Sequence, residues 1–257
     1  MKQALKTLFF WIGAAVAPKS SHASIWMYHS VSGNAADFTI SPEAFERQLA
    51  YLSANGYTVL TLSQLLEKRE QGESLRKHVS LTFDDGYADN FETVFPLIQK
   101  YRIPITIFLT TGKVGGVFTT SKGLTFPLLT EAQIRAMHES GLVEFLPHGQ
   151  HHISLDSCTR NQAREEITTS LAYLQTLFGL VPKIYAYAKG RYTNETQEIL
   201  REEGFIAAVT VRPGLLRPGD TLFELKRHPV SKDTSLVEFK ARLKGVGDWY
   251  ERMKIWH

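Results

Sequence analysis

Asp84 and Asp85 stand side by side directly after the apolar run at 79–83, and Gly86 follows them. Val79, Leu81 and Phe83 read as a strand bound for a core. Two adjacent carboxylates at its end repel each other and are costly to take out of water. A cation or a shared proton has to offset that cost. The segment His148-Gly149-Gln150-His151-His152 offers a source. His148 and His152 are four residues apart, a spacing that on a helical turn puts both imidazoles on one side. Two histidines and one carboxylate form a common ligand set for a divalent metal with open coordination positions. A metal so held lowers the pKa of coordinated water to ~7, which makes a nucleophile at neutral pH. It would also relieve the repulsion between the aspartates and leave the second carboxylate free to accept a proton. The plainer alternatives are a loop of surface histidines and a turn capped by acids.

Two further strand ends carry reactive side chains. His29 follows Ser24-Ile25-Trp26-Met27-Tyr28, and Lys189 and Arg191 follow Ile184-Tyr185-Ala186-Tyr187-Ala188. The elements that must position these groups alternate along the chain. Ser41 and Pro42 open a helix in which Phe45, Leu49 and Leu52 share one face. A strand at 57–62 and a short helix at 64–71 follow. After the strand at 79–83 come a helix near 90–100, a strand at 105–111, a capped helix at 131–139 and a strand at 142–146. A long helix near 160–178, a strand at 183–188, a helix at 194–203, strands at 206–211 and 222–230, and a helix near 235–244 complete the series. Repeated β-α order implies a parallel sheet, either a closed barrel or a doubly wound sheet. In both, ligands sit at the carboxyl ends of the strands. Tyr28, by alternation, should point away from His29 into packing.

Composition sets the outer limits. The chain has 257 residues, 43% apolar and 21% charged, with a formal charge of +3. That length suits one large α/β domain, and no linker divides it. There is no dense Lys/Arg run to suggest a nucleic-acid partner. The single cysteine, Cys158, excludes an internal disulfide and any multi-cysteine metal site. It reads as a small, partly buried packing residue.

Leu81-Thr82-Phe83-Asp84-Asp85-Gly86 together with the His148–His152 segment resembles the polysaccharide deacetylase family of metal-dependent carbohydrate esterases. That family's first motif, Thr-Phe-Asp-Asp-Gly, stands here at 82–86. Its second motif, two histidines separated by three residues, stands at 148–152. The resemblance runs from Met27 to the terminal helix. It implies a single-domain α/β fold, a distorted (β/α)7–8 barrel. It implies hydrolysis of an N-acetyl group on an amino sugar, with release of acetate. Asp84 is then the general base, and Asp85, His148 and His152 are the metal ligands. The metal is expected to be Zn2+, with Co2+ or Ni2+ as alternatives.

The proton donor in many members is a histidine near the C-terminus, which here would be His228. The segment Ile25-Trp26-Met27-Tyr28-His29 instead resembles the circularly permuted branch that acts on exported poly-N-acetylglucosamine. There the acid lies early in the chain, so His29 is preferred to His228. The family's third motif is altered, with Ala188 and Lys189 where proline and an aromatic are usual. Lys189 could still supply a main-chain N–H to the oxyanion, and Arg191 is expected to hold Asp84 or the glycan. His151 is expected to lie nearby without ligating. Phe38, Phe118, Phe126, Trp249 and Trp256 are candidates for a sugar-stacking wall, and the glycine-rich segment 111–126 for a substrate-covering loop.

The N-terminus is a segment apart. Lys2 and Lys6 precede an apolar stretch of 11 residues, too short to span a bilayer as a helix. Residues 1–23 match a secretory signal or a helix lying on a membrane surface, with Lys2, Lys6 and Lys19 at its polar edges. Pro18 and Lys19 interrupt the approach to a cleavage site, which favours a retained anchor. The catalytic domain is then 24–257, and the expected location is the cell envelope, exported or anchored. The expected partners are an N-acetylated glycan or glycolipid and a membrane surface, with no nucleic acid. Two rivals stand beside this reading: an amidase of a small non-glycan substrate, and a non-catalytic glycan-binding domain.

Overall fold

Seven strand segments form the wall of the molecule: β1 (Ala23–Tyr28), β2 (His78–Asp85), β3 (Ile105–Leu109), β4 (Val143–Pro147), β5 (Ile184–Ala186), β6 (Ala207–Val209) and β7 (His228–Pro229). The computed structural model describes residues 2–17, 20–120 and 122–254. Lys19, Trp256 and His257 lie outside the described residues, as do the side chains of Lys2 and Lys6. Neighbouring wall strands pair in parallel in the order β4-β3-β2-β1-β7, and β5 pairs in parallel with β6. The stretch entering β7 joins the two groups. Val209 bridges Leu225 in parallel, Thr210 donates its N–H to the Leu225 carbonyl at 2.8 Å, and Arg227 donates to Arg212 at 2.9 Å. Between β4 and β5 there is no strand pairing, and the His148 ring crosses that seam to the Ala186 carbonyl at 2.8 Å. The result is the distorted, seven-stranded (β/α) barrel expected from the sequence.

Strand alternation sorts the side chains into two layers. Trp26, Tyr28, Leu81, Phe83, Ile105, Ile107 and Phe145 face the helices. Ile25, Phe108, Leu146, Ala186, Ala207, Val209 and Leu225 fill the interior. Small residues recur inside because a barrel of so few strands has little room. The same parity aims Thr82, Asp84, Thr106, His148 and Arg227 inward. Tyr28 lies outside as expected, stacked on Phe83 and donating its hydroxyl to Gln48 at 2.7 Å.

The helices start where the sequence supplies caps. Thr61 with Gln64, Thr130 with Gln133 and Thr159 with Gln162 form capping boxes for α3 (Leu62–Glu70), α5 (Glu131–Glu139) and α6 (Arg160–Phe178). Ser41 and Pro42 open α2 (Pro42–Ala54). Three expected elements take a different form. The strand at 57–62 contracts to Thr58–Val59, because Thr61 turns to cap α3 and sends Leu62, Leu65 and Leu66 inward. The helix near 90–100 is a π-turn at Asn90–Val94 running into α4 (Phe95–Tyr101), whose second residue is Pro96 and can donate no helical hydrogen bond. The strand at 222–230 begins as a 3-10 turn, Leu222–Glu224.

At the other end, α1 (Lys2–Val16) packs on α8 (Leu236–Leu243) and α9 (Val246–Lys254). Phe10 is 1% exposed against Tyr250, Ala241 and Val246. Leu8, Trp11, Ile12 and Val16 face outward. No helix among the described residues is long and apolar enough to cross a membrane.

Candidate active site

The carboxyl ends of β2 and β4 bring Asp85, His148 and His152 together. Asp85 Oδ1 lies 3.6 Å from His148 Nε2 and 3.2 Å from His152 Nε2. One ligand atom from each falls within 4.8 Å of the others. Asp85 and His148 are buried, and Asp85 Oδ1 accepts no hydrogen bond from the described residues although water cannot reach it. A buried carboxylate oxygen without a donor is costly. Between two imidazole nitrogens it fits a divalent cation, and the oxygen–nitrogen set suits zinc, cobalt or nickel alike.

The local backbone explains how these atoms meet. Strand parity would turn Asp85 away from Asp84, but Asp85 takes φ 72° and swings towards the histidine loop. The two histidines do not share a helical turn, as their spacing suggested. Gly149 (φ 83°) and His152 (φ 61°) fold the segment into a tight loop that turns His152 back on His148. Their ring centres are 5.1 Å apart.

Neighbours fix the protonation of the cluster. The Ala186 carbonyl accepts from His148 Nδ1, which leaves the Nε2 lone pair for a metal. Burial, reinforced by His148, Lys113 and Lys189, outweighs Asp85 and lowers His152 to about 4, so its ring is neutral at pH 7. Tyr87 donates its hydroxyl to Asp85 Oδ2 at 3.0 Å. Burial, then the Asp85 charge, push that hydroxyl far above its usual range and keep it a donor.

Asp84 lies inside the barrel, and Arg227 grips it with two hydrogen bonds of 2.7 and 2.8 Å. Arg227 is wholly buried. It also donates to the Thr210 carbonyl and to Thr82, and its guanidinium lies 5.6 Å from the Phe108 ring centre. Burial acts to raise the Asp84 carboxyl, but Arg227, His148 and His29 outweigh it and hold the group well below the ordinary carboxylate range. Asp84 is therefore ionised at any working pH. Arg227 was not among the residues singled out in the sequence. Its signal was its place beside His228 in a strand: the face opposite a core histidine is the barrel interior.

His29 follows β1, beside Asp84 by the register of Tyr28 against Phe83. Its carbonyl accepts from the buried Asn90 side chain at 2.9 Å, its ring lies 5.6 Å from Phe38, and its Nδ1 is buried without a partner among the described residues. His228 is not brought to this cluster. It is fully buried on the outer face of the wall, 5.1 Å from the Trp26 ring, and burial with Arg242 lowers it to about 3.

Lys189 sits at φ 56° in the turn after β5, close enough to His152 to help lower it. Arg191 does not reach Asp84. Its side chain is 67% exposed and pairs with Asp156 at 3.7 Å. Arg227 takes the role expected of Arg191, because it points into the barrel and Arg191 follows the strand end into a surface loop. His151 makes its contacts with Glu166, not with the cluster. Phe38, Phe118 and Phe126 gather around Tyr87, and Phe118 meets the His152 ring edge-on at 6.0 Å. Phe118 comes from the hairpin of Val117–Thr119 and Thr125–Pro127, inside the expected covering loop. Trp249 is exposed on α9, apart from this wall.

The family described as "Polysaccharide deacetylase" matches residues 71–208. A Bacillus subtilis (strain 168) protein named "Putative polysaccharide deacetylase YxkH" is 30% identical over 230 residues, covering 89% of this chain and 78% of that one. A poly-beta-1,6-N-acetyl-D-glucosamine N-deacetylase of Staphylococcus epidermidis is 26% identical, covering 77% of this chain and 70% of its own length. Among solved structures, IcaB from Ammonifex degensii aligns with a TM-score of 0.78 at 27% identity, covering 88% of this chain and 99% of that chain.

Proposed function

The chain belongs to the polysaccharide deacetylase family, and from that premise we propose that it hydrolyses N-acetyl groups on the amino sugars of a glycan and releases acetate. The observation that carries this reading is the trio of buried Asp85, buried His148 and half-buried His152 beside an ionised Asp84 inside the barrel mouth. These three side chains would hold a divalent cation, with Zn2+ the first candidate, which when bound polarises the acetyl carbonyl and lowers the pKa of a water. Asp84 accepts the proton that the attacking water gives up. Arg227 keeps that carboxylate oriented and charged until then. The amide C–N bond breaks, the acetyl carbon gains the water oxygen, and His29 gives a proton to the departing amine. The Lys189 main chain steadies the negative charge that develops on the carbonyl oxygen. Support for His29 over His228 is its place beside Asp84, on the same mouth of the barrel. Phe38 and Phe118 offer apolar ring faces against which a pyranose can lie.

The substrate is a polymer or lipid-linked sugar at the cell envelope, and the outward face of α1 rests on a membrane surface. Supporting this are Leu8, Trp11, Ile12 and Val16, exposed together on a helix whose opposite face is anchored by Phe10. Acetate release from poly-N-acetylglucosamine oligomers, chitooligosaccharides and small N-acetyl amides tests the chemistry. Asp84→Asn should slow release by ~10²–10⁴-fold while metal content stays that of the wild type. Turnover of the small amides alone would replace the glycan reading with the amidase one. Vesicle co-sedimentation tests the surface: Trp11→Ser should release the protein, and unchanged binding would remove α1 from contact.

A further inference from the structure

The loop that carries His148 and His152 rests on one carboxylate that belongs to neither the ligand set nor the base. Glu166 lies on α6 and is 3% exposed. Its Oε1 accepts the His151 main-chain N–H at 2.6 Å, and its Oε2 faces His151 Nδ1 at 3.0 Å. Among the described residues no lysine or arginine pairs with it. A carboxylate buried without a cation is expensive to keep unless its hydrogen bonds are used. Here both go to a single residue, next in sequence to a metal ligand.

The loop needs such an anchor. Gly149 and His152 both have positive φ, and the segment has left its strand. Glu166 also sets the space beneath it. A Cβ on Gly149 would come within 2.7 Å of Glu166 Oε1 and 3.0 Å of the Tyr185 hydroxyl. That hydroxyl is itself buried without a hydrogen-bond partner among the described residues. Two side chains from different elements therefore form a fitted seat for the turn between the two histidines.

We propose that Glu166 is a positioning residue for the metal centre. It pins the His151 backbone so that His152 Nε2 is already turned towards Asp85 before the cation arrives. The ordering of the loop is then met during folding and not charged against metal affinity. The inference rests on the metal-dependent reading above.

Metal affinity, measured by chelator competition on the folded protein, separates this role from a merely structural one. Glu166→Ala should weaken metal binding by ~10–100-fold, the usual effect of removing an outer partner of a ligand. Its turnover should recover when metal is supplied in excess, with KM for the glycan unchanged. Glu166→Gln keeps one acceptor for two donors and should fall between Glu166→Ala and the wild type. His151→Ala retains the main-chain bond and should lose less than Glu166→Ala. Wild-type affinity in folded Glu166→Ala, or turnover that excess metal does not restore, overturns the proposal. Should Glu166→Ala fail to fold, Glu166→Gln decides, and wild-type affinity there overturns it equally. A wild-type protein that binds no metal would instead defeat the underlying reading, so the two failures are distinct.

Discussion

His148 and His228 are the same residue type, both buried in the barrel wall, and the structure treats them in opposite ways. His148 points inward across the seam between β4 and β5. One nitrogen is matched to a backbone carbonyl and the other is turned to Asp85. His228 points outward among Trp26, α8 and α9, and neither nitrogen has a hydrogen-bond partner among the described residues. The difference is one of strand parity, because a single step along a strand exchanges the two faces. Arg227, one step before His228, therefore sits inside on Asp84. Chemistry follows the inner face, and the outer face converts the same functional group into packing.

Three single variants, one of them paired with a double variant, test that contrast, from the greatest effect to the least. His148→Ala should abolish acetate release and reduce metal affinity by more than the ~10–100-fold of an outer partner. Near-normal turnover would break the contrast at its active end. Arg227→Met strands a buried carboxylate and should cost about 3–5 kcal/mol in denaturant unfolding. The double variant Asp84→Asn with Arg227→Met should recover much of that loss. Unchanged stability in the single variant would mean Asp84 is solvated or protonated.

His228→Leu should leave kcat and KM near wild type and change only the dependence of stability on pH. An unfolded histidine takes up its proton near 6.5, while the buried ring does so only near 3. Stability contributed by the neutral ring is thus full above about 6.5 and lost progressively as pH falls towards 3. The wild type should lose up to ~1.4 kcal/mol per pH unit from this one group across that window. The variant should show a shallower slope by that amount, and identical slopes would sink the assignment.

Much of the site could be read locally. Asp84, Asp85, His148 and His152 stand in two short segments whose residue types admit few other chemistries, and His29 is placed by the end of its strand. Arg227 was harder. An arginine between Lys226 and His228 is ambiguous until its parity is tied to that of β2, 143 residues away in the chain. Glu166 left no local signal, since it sits mid-helix in a charged stretch, and only the docking of α6 under the histidine loop gives it meaning. Arg191 misled for the converse reason: it follows a strand end closely in sequence, but the turn at 188–190 carries it to the surface.

By itself the sequence determined the alternation of strands and helices, the caps that start the helices and the residues able to bind a metal. Those depend on spacing and residue type, which are local. The tertiary structure alone decided which carboxylate stays charged by an arginine, which histidine is silent, and how a glycine turn seats two imidazoles over a buried glutamate. Those depend on desolvation and on partners distant in the chain, and neither exists until the barrel closes.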